Sequence, residues 1–295
     1  MAFRRSEWAL IAYFLYVTVL ARILPVPGGI PNFILAVNLA VIAGLAALAY
    51  ADIGAIRDWL PTPLLLLLCY REMGWLAPAR HTYQLERIWV VWDKYFLNTM
   101  GAKALIESLG PVIPSLLDIS YTLVYTTPYF AIGVLYAYRR SDRVDRFLFP
   151  LVLSVVCAYA LFPYIPSEPP RTVFPGQDFP AYVTFFRRFN WRMLENYGIH
   201  TGVFPSAHVS AAFTAAFFMR KVLPERKWPW RFLLVLAVMI ATASVYGRYH
   251  YLADAAAGLT LSLAVAGLSS WLGPAWNRQP ASSRSPASEP RSSRL

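Results

Sequence analysis

The sequence predicts an all-α integral membrane protein, a polytopic helical bundle with about six core spans and seven or eight spans in total. Two observations support this fold class. Hydrophobic residues make up 57% of the 295 residues and charged residues only 15%, whereas soluble domains are about 45–50% apolar and about 25% charged. The apolar residues also stand in blocks of roughly the 20 residues that a helix needs to cross a bilayer. Seven such blocks leave too little polar chain to cover a soluble core.

The predicted spans are joined by connections of varied length. A short block at 63–78 carries Arg71 and Glu72 in its outer half, and we count it as an eighth span. These two charges are interpreted either as a structural ion pair near the interface or as part of a path through the membrane, which intramembrane charges often line. The other seven blocks lie at residues 8–24, 32–50, 118–138, 147–163, 206–222, 232–248 and 252–272.

One segment outside the spans predicts an amphipathic helix, at residues 84–98. Such a helix lies in the membrane interface, with its aromatic residues at headgroup level. Its predicted polar face holds Glu86, Asp93 and Lys94. Its predicted apolar face holds Leu85, Trp89, Trp92 and Phe96.

The chain divides into three predicted parts. Residues 1–78 form an N-terminal membrane-spanning hairpin plus the short third span, and residues 79–273 form the main membrane domain. Residues 274–295 are a Ser-, Pro- and Arg-rich tail without apolar periodicity, so we expect them to be disordered and cytoplasmic. Within the main domain, the Pro-rich loop at 164–205 is too long for a simple connector, and long loops are often functional.

Lysine and arginine in the short loops predict the orientation, because these residues are enriched on the cytoplasmic side. Basic clusters at 139–146, at 220–231 and in the tail fall on one side of the bundle, which should be the cytoplasm of a cell (plasma) membrane. The net charge of +11 is then explained by topology and by contact with anionic membrane lipids. Nothing in the chain resembles a nucleic-acid-binding module. The opposite side is also charged, and an anion-handling site would explain its arginines: Arg171, Arg187, Arg188 and Arg192.

Two histidines fall at span ends on that opposite, extracytoplasmic side. His250 and Asp254 are four residues apart, a spacing that stacks both side chains on one helical face. A carboxylate there can fix the imidazole tautomer and stabilise a charged or phosphorylated ring. The alternative is structural, because an acidic residue at a helix start is stabilised by the helix dipole.

The second histidine, His208, follows Pro205, Ser206 and Ala207 at the start of an apolar run. Proline followed by serine is typical of a helix start, where the serine hydroxyl and the first free N–H groups can bind an anion. A histidine in that turn could protonate a leaving oxygen, although such a histidine is more often only part of a cap.

Two arginines lie close to these motifs in the sequence. Arg171 follows two prolines, and Arg248 precedes His250 by two residues. Their fork-shaped guanidinium groups suit phosphate, although a single arginine at a membrane edge usually extends to lipid headgroups.

The motif Pro-Ser-x-His at a helix start, followed about forty residues later by His-x-x-x-Asp, resembles the type 2 phosphatidic acid phosphatase superfamily. The upstream Pro-Pro-Arg and the stretch at 246–258 resemble its inositol phosphorylceramide synthase-like branch. The resemblance covers roughly residues 84–272. It implies that residues 79–273 form a catalytic phosphatase- or phosphotransferase-like domain that needs no metal and no cofactor.

The resemblance also implies roles for individual residues. His250 would attack phosphorus to form a phosphohistidine, oriented by Asp254, and His208 would protonate the leaving group. The phosphoryl oxygens would be bound by Arg171, Arg248, Ser206 and the backbone of Ala207.

The chain departs from the phosphatase pattern at three positions. Tyr164 stands where the family has a lysine, Thr172 stands where it has a proline, and Ser244 stands where it has an arginine. Two expected phosphate-binding cations are therefore missing, which favours a phosphodiester over a doubly charged monoester. Tyr164 and Tyr246 are interpreted as possible lining residues of the site.

The preferred hypothesis is a membrane enzyme that cleaves or transfers a lipid-linked phosphate, either a phosphodiester or a polyprenyl phosphate, at the extracytoplasmic face. One alternative is a lipid phosphate monoesterase acting on phosphatidate or undecaprenyl pyrophosphate. The other is a non-catalytic relative that binds or transports lipid, for which Arg71 and Glu72 would be the signal. The expected partners are a lipid phosphate and membrane lipids, with no nucleic acid. The Ala-, Arg- and Pro-rich composition is typical of a GC-rich bacterium.

Overall fold

The computed structural model describes residues 3–78 and 81–271, and every regular element within these ranges is a helix. The predicted fold class is confirmed: the chain is a polytopic helical membrane protein. The predicted tail at 274–295 lies outside the described residues. The helices are α1 (Arg5–Ile23), α2 (Ile30–Ala51), α3 (Gly54–Trp59), α4 (Pro61–Leu76), α5 (Gln84–Lys94), α6 (Ala102–Glu107), α7 (Val112–Leu123), α8 (Thr127–Ala137), α9 (Val144–Leu161), α10 (Pro170–Val173), α11 (Phe185–Tyr197), α12 (Ala207–Val222), α13 (Lys227–Tyr246) and α14 (Leu252–Trp271).

Five helical segments in the described ranges are long and apolar enough to cross a membrane: α1, α2, α9 with its preceding turn (Ser141–Leu161), α13 and α14. The predicted spans at 63–78 and 206–222 are helical as α4 and α12, but each has 16 residues and is about 24 Å long. The predicted span at 118–138 is two helices, α7 and α8, separated by a 3-10 turn at Val124–Thr126. These three segments remain predicted spans.

Helix α12 lies at the centre of the bundle, where it packs against α9, α13 and α14. Its buried side chains include Ala212, Ala215 and Ala216, each at most 2% exposed. Small residues of this kind let membrane helices approach closely. The first turn of α12, which carries His208, therefore lies among the ends of α9, α13 and α14.

The basic clusters at 139–146 and 220–231 lie at the opposite end of the bundle from His208. Arg143, before α9, donates to the carbonyl of Val222 at the end of α12, and the Arg226 guanidinium lies 4.9 Å from the ring of Tyr138. This end also holds a buried ion pair in which Arg57 binds both carboxylate oxygens of Glu7, at 2.8 and 2.6 Å. The geometry thus separates a basic end from a histidine end.

Helix α5 confirms the predicted helix at 84–98 but reverses part of its predicted orientation. Glu86 and Asp93 are fully buried, whereas Trp92 is 52% exposed. The predicted polar face is therefore buried at both carboxylates, because each has a partner inside the protein. Asp93 binds Arg248 at 2.5 Å, and Glu86 binds His81 at 2.5 Å.

The loop at 164–205 contains a helix, α11, that the sequence analysis did not predict. Thr184 caps it by accepting from the backbone N–H of Arg187 at 3.0 Å. Arg187 is fully buried and binds both carboxylate oxygens of Asp118 on α7, at 2.7 and 3.2 Å. Arg187, expected in an exposed anion-handling loop, is therefore a buried structural cation that fixes α11 against α7.

Candidate active site

His250 lies in the short turn between α13 and α14. The Ser244 carbonyl accepts from the backbone N–H groups of both Tyr249 and His250 at 3.0 Å, and this fixes the turn. The Nδ1 atom of His250 lies 3.1 Å from the carbonyl of Val203 and 3.3 Å from Oδ2 of Asp254. Because both neighbours are acceptors, Nδ1 carries the proton and Nε2 keeps a free lone pair.

Asp254 lies in the first turn of α14, where it is fully buried. Its Oδ2 atom accepts from the backbone N–H of Tyr251 at 2.9 Å, in addition to its contact with His250. The structural and the chemical interpretation of Asp254 are therefore compatible. The same carboxylate lies at the start of α14 and contacts the imidazole of His250.

His208 lies in the first turn of α12, beside His250. Ser206 is the N-cap and accepts from the backbone N–H of Val209 at 3.3 Å. The centroids of the two imidazole rings are 5.7 Å apart. The Nε2 atom of His208 lies 3.1 Å from the hydroxyl of Tyr125, and its ring stacks on Tyr121 at 5.0 Å.

A close helix contact joins the two histidine motifs. The backbone N–H of Ser206 donates to the carbonyl of Asp254 at 3.0 Å. One turn further along α14, a Cβ atom at Gly258 would lie 2.5 Å from the Ser206 carbonyl oxygen and 3.2 Å from the Ser210 nitrogen. The absence of a side chain at this position allows α12 and α14 to approach closely enough to bring both histidines together.

Arg171 lies on the same side of the bundle, in the short helix α10. Its backbone N–H donates to the Arg248 carbonyl at 3.3 Å, and its Nη1 donates to the Tyr249 carbonyl at 3.4 Å. Burial lowers the pKa of His250 to about 3, and the positive charge of Arg171 contributes to the same shift. His250 is therefore neutral at physiological pH, which is the form that can act as a nucleophile.

Arg248 forms an ion pair with Asp93 on α5, a helix that is distant in the sequence. The side chain is fully buried, and its Nη1 donates to Asp93 at 2.5 Å. Its Nε and Nη2 atoms have no hydrogen-bond partner among the described residues. The charge of Arg248 is thus balanced by Asp93, while two of its buried donor atoms are left unpaired.

The two tyrosines interpreted as lining residues occupy different surroundings. Tyr164 is 60% exposed, and its hydroxyl accepts from Tyr16 at 3.3 Å. Tyr246 is buried, donates to Glu107 at 3.1 Å, and lies 5.2 Å below the Arg187 guanidinium. Within the described residues, neither tyrosine hydrogen-bonds to or stacks on His208 or His250, and their role as lining residues remains a prediction.

Sequence analysis missed three side chains around the histidines, namely Tyr121, Tyr125 and Asp93. Tyr121 lies near the end of α7 and Tyr125 in the 3-10 turn that follows it, and their spacing of four residues is a signal that both side chains point the same way. No comparable signal links Asp93 to its partner, because the two residues are 155 positions apart. Among the described residues, no group of three or more His, Cys, Asp or Glu side chains could hold a metal ion.

The fold and the site together define the class of protein. It is a helical membrane protein that brings His208, His250, Asp254 and Arg171 to one end of the bundle. The chain belongs to the PAP2 superfamily, whose family model matches residues 89–268. That range is more than half of the chain and includes all the predicted site residues. Comparison with curated proteins and with solved structures gave no match. Membership supports an activity of the phosphatase or phosphotransferase type, and the assignment to the inositol phosphorylceramide synthase-like branch remains a prediction.

Proposed function

We propose that this protein cleaves or transfers a lipid-linked phosphate group, from a phosphodiester or a polyprenyl phosphate, through a phosphohistidine on His250. The observation that carries the proposal is the geometry of the imidazole. The Val203 carbonyl and the Asp254 carboxylate both lie at Nδ1 of His250, so Nδ1 carries the proton and Nε2 is left as an unprotonated nucleophile. The ring of His208, a candidate acid, lies 5.7 Å away.

The proposed reaction has two steps. In the first, His250 Nε2 forms a bond to phosphorus while the bond to the leaving oxygen breaks, and His208 donates a proton to that oxygen. A bound phosphate anion beside His208 favours the imidazolium form that this step needs. In the second step, neutral His208 takes a proton from water or an alcohol, and the resulting nucleophile displaces His250 from phosphorus.

The phosphoryl oxygens are proposed to be bound by groups from three segments. Arg171 provides the uncompensated guanidinium beside the histidines, and Arg248 provides its Nε and Nη2 donors. The backbone N–H groups of Ala207 and His208, which follow the N-cap Ser206 at the start of α12, have no partner within the helix and suit an anion.

The charge of this set supports a phosphodiester substrate. Because Asp93 balances Arg248, Arg171 is the arginine here that has no carboxylate partner among the described residues. A phosphodiester carries one negative charge, whereas a monoester carries nearly two. The proposed reaction takes place at the extracytoplasmic face of a cell membrane, on the basis of the loop charges, and the proposed source is a bacterium, on the basis of the Ala-, Arg- and Pro-rich composition.

The test is turnover by purified protein with EDTA present. The substrates are phosphatidate, a polyprenyl pyrophosphate and phosphatidylinositol, each with and without an alcohol acceptor. We expect turnover within the usual enzymatic range of about 1 to 10³ per second, and loss of turnover in His208→Ala and His250→Ala. His200→Ala is the matched control, because His200 is 58% exposed and its recorded ion pair is with Glu168.

The outcomes separate the hypotheses. Transfer to alcohol supports a phosphotransferase, and release of phosphate from phosphatidate at enzymatic rates would support the monoesterase alternative instead. A phosphorylated protein that is stable in alkali and absent from His250→Ala would identify the intermediate. Unchanged turnover in His250→Ala would contradict the mechanism, and no turnover on any of these lipids would favour a non-catalytic role.

A further inference from the structure

The outward face of α11 is unusual because it is aromatic and basic. Every fourth residue along one edge is a large apolar or aromatic side chain that is exposed, from Phe185 at 67% to Tyr197 at 65%. The adjacent edge carries the exposed arginines Arg188 and Arg192. The inward face holds the buried Arg187 and Asn190, and beside them Trp191 and Leu194 pack against the cluster that contains Tyr121 and Tyr249. A helix in a water-exposed loop normally has its apolar residues inside.

The aromatic edge continues onto the neighbouring elements. The segment before α11 is fixed to α6, because Glu107 accepts from the backbone N–H of Ala181 at 2.8 Å and Lys103 donates to the Phe179 carbonyl at 2.7 Å. Helix α6 and the start of α7 expose further large apolar side chains. We call this exposed apolar set the collar: Leu105, Leu109, Val112, Phe185, Phe189 and Met193.

The collar lies on the same end of the bundle as the histidines. Arg187 packs under α11, and its guanidinium is 5.9 Å from the ring of Tyr249. Tyr249 stacks on Tyr121, and Tyr121 stacks on His208, with ring centroids 4.2 and 5.0 Å apart. The position of α11 is therefore coupled by direct contacts to the side chains around the catalytic pair.

We propose that the collar inserts into the lipid surface around the site, and that Arg188 and Arg192 bind the phosphates of anionic lipid headgroups. Exposed apolar patches of this kind mark interaction surfaces. Aromatic residues at one edge of a helix with arginines at the next are typical of helices lying in a membrane interface. The two arginines complement anionic lipid in charge, and the collar continues from α7, which is part of the predicted membrane bundle.

A direct test measures the depth of α11 in full-length protein reconstituted in lipid nanodiscs. Spin labels are attached to Phe189→Cys on the apolar edge or to Glu195→Cys on the edge beyond Arg192, in a background in which Cys69 and Cys157 are changed to alanine. Collisions with oxygen report insertion in lipid, and collisions with a water-soluble nickel chelate report exposure to water. We expect the label at 189 to favour oxygen and the label at 195 to favour the nickel chelate.

The arginines are tested by lipid composition. Phosphatidylcholine discs are compared with discs that also contain phosphatidylglycerol, which should increase insertion of the label at 189. In Arg188→Gln/Arg192→Gln we expect this increase to fall by about five-fold per arginine removed, given the attraction that a basic residue has to an anionic surface. The matched control is Lys227→Gln/Arg231→Gln, which removes two exposed charges near the start of α13, at the other end of the bundle.

The proposal is overturned if the label at 189 is as accessible to nickel as the label at 195. It is also overturned if the control double variant lowers insertion as strongly as the arginine variant. Spin–spin broadening at 189 that disappears on dilution with unlabelled protein would show a second copy of the chain on the collar instead of lipid. These measurements need no turnover, so they are independent of the proposed reaction.

Discussion

Replacing Asp93 with asparagine should both destabilise the protein and reduce its activity. Asp93 binds both sides of the turn that carries His250, because Oδ2 accepts from Arg248 at 2.5 Å and Oδ1 accepts from the backbone N–H of Leu252 at 2.8 Å. These two residues flank His250 by two positions on each side. Asparagine has the same shape and can still accept from Leu252, so the change removes chiefly the charge.

The magnitude follows from burial. Both side chains of the Asp93–Arg248 pair are 0% exposed. Removing one partner of a buried pair leaves an uncompensated charge and costs about 3–5 kcal/mol, which corresponds to a fall of about 6–20 °C in melting temperature for a chain of this size. Arg248→Gln on top of Asp93→Asn should restore most of this loss, because neither residue then carries a charge.

The assay is thermal unfolding in detergent together with turnover measured well below the melting temperature. The matched control is Glu7→Gln, which breaks the buried pair with Arg57 at the basic end of the bundle. We expect Glu7→Gln to lower the melting temperature similarly but to leave turnover per folded molecule close to wild type. Asp93→Asn should lower both. A wild-type melting temperature for Asp93→Asn, or equal turnover in the two variants, would refute the reasoning.

Three further predictions concern the histidine pair. Gly258→Ala should lower the free energy of unfolding by about 1–3 kcal/mol, because the new methyl group overpacks the contact between α14 and α12. The control Gly267→Ala has open space around it and should be neutral or stabilising. Chemical unfolding of both variants checks this. Tyr125→Phe removes the hydroxyl bound to His208 and should lower kcat by about ten-fold or less, in line with the loss of one hydrogen bond, with an altered pH profile and little change in melting temperature. The folded-state pKa of His250 is about 3, below the unfolded value near 6.5, so its contribution to stability is complete above about pH 6.5 and is lost as the pH falls toward 3. Unfolding titrations should show a weaker acid dependence in His250→Ala over that window, and an unchanged dependence would contradict the assignment.

The two histidine motifs could be predicted from the sequence because each is contiguous. His250 and Asp254 are close in the fold for the same reason that they are close in the chain, since one helical turn separates them. Ser206 likewise caps the helix that carries His208. Short-range spacing therefore predicted the local geometry of both motifs, and the apolar blocks predicted the membrane bundle that places them at one end.

The missed features depend on pairing between distant segments. Periodicity placed Asp93 on the polar face of α5, and only the position of Arg248 explains why this carboxylate is buried. Helix α11 was missed for a related reason. Its inward face mixes the polar Arg187 and Asn190 with the apolar Trp191 and Leu194, and its outward edge is apolar as well, so no single apolar stripe marks the helix in the sequence.

The pairing of Asp93 with Arg248 has a consequence for biosynthesis. The two residues are 155 positions apart, so at translation rates of about 5–20 residues per second the arginine is made about 8–30 seconds after the aspartate. During that interval the Asp93 carboxylate has no Arg248 to pair with, and the turn that carries His250 does not yet exist. The pairing of His208 with His250 can therefore form only after α13 and the start of α14 have been made.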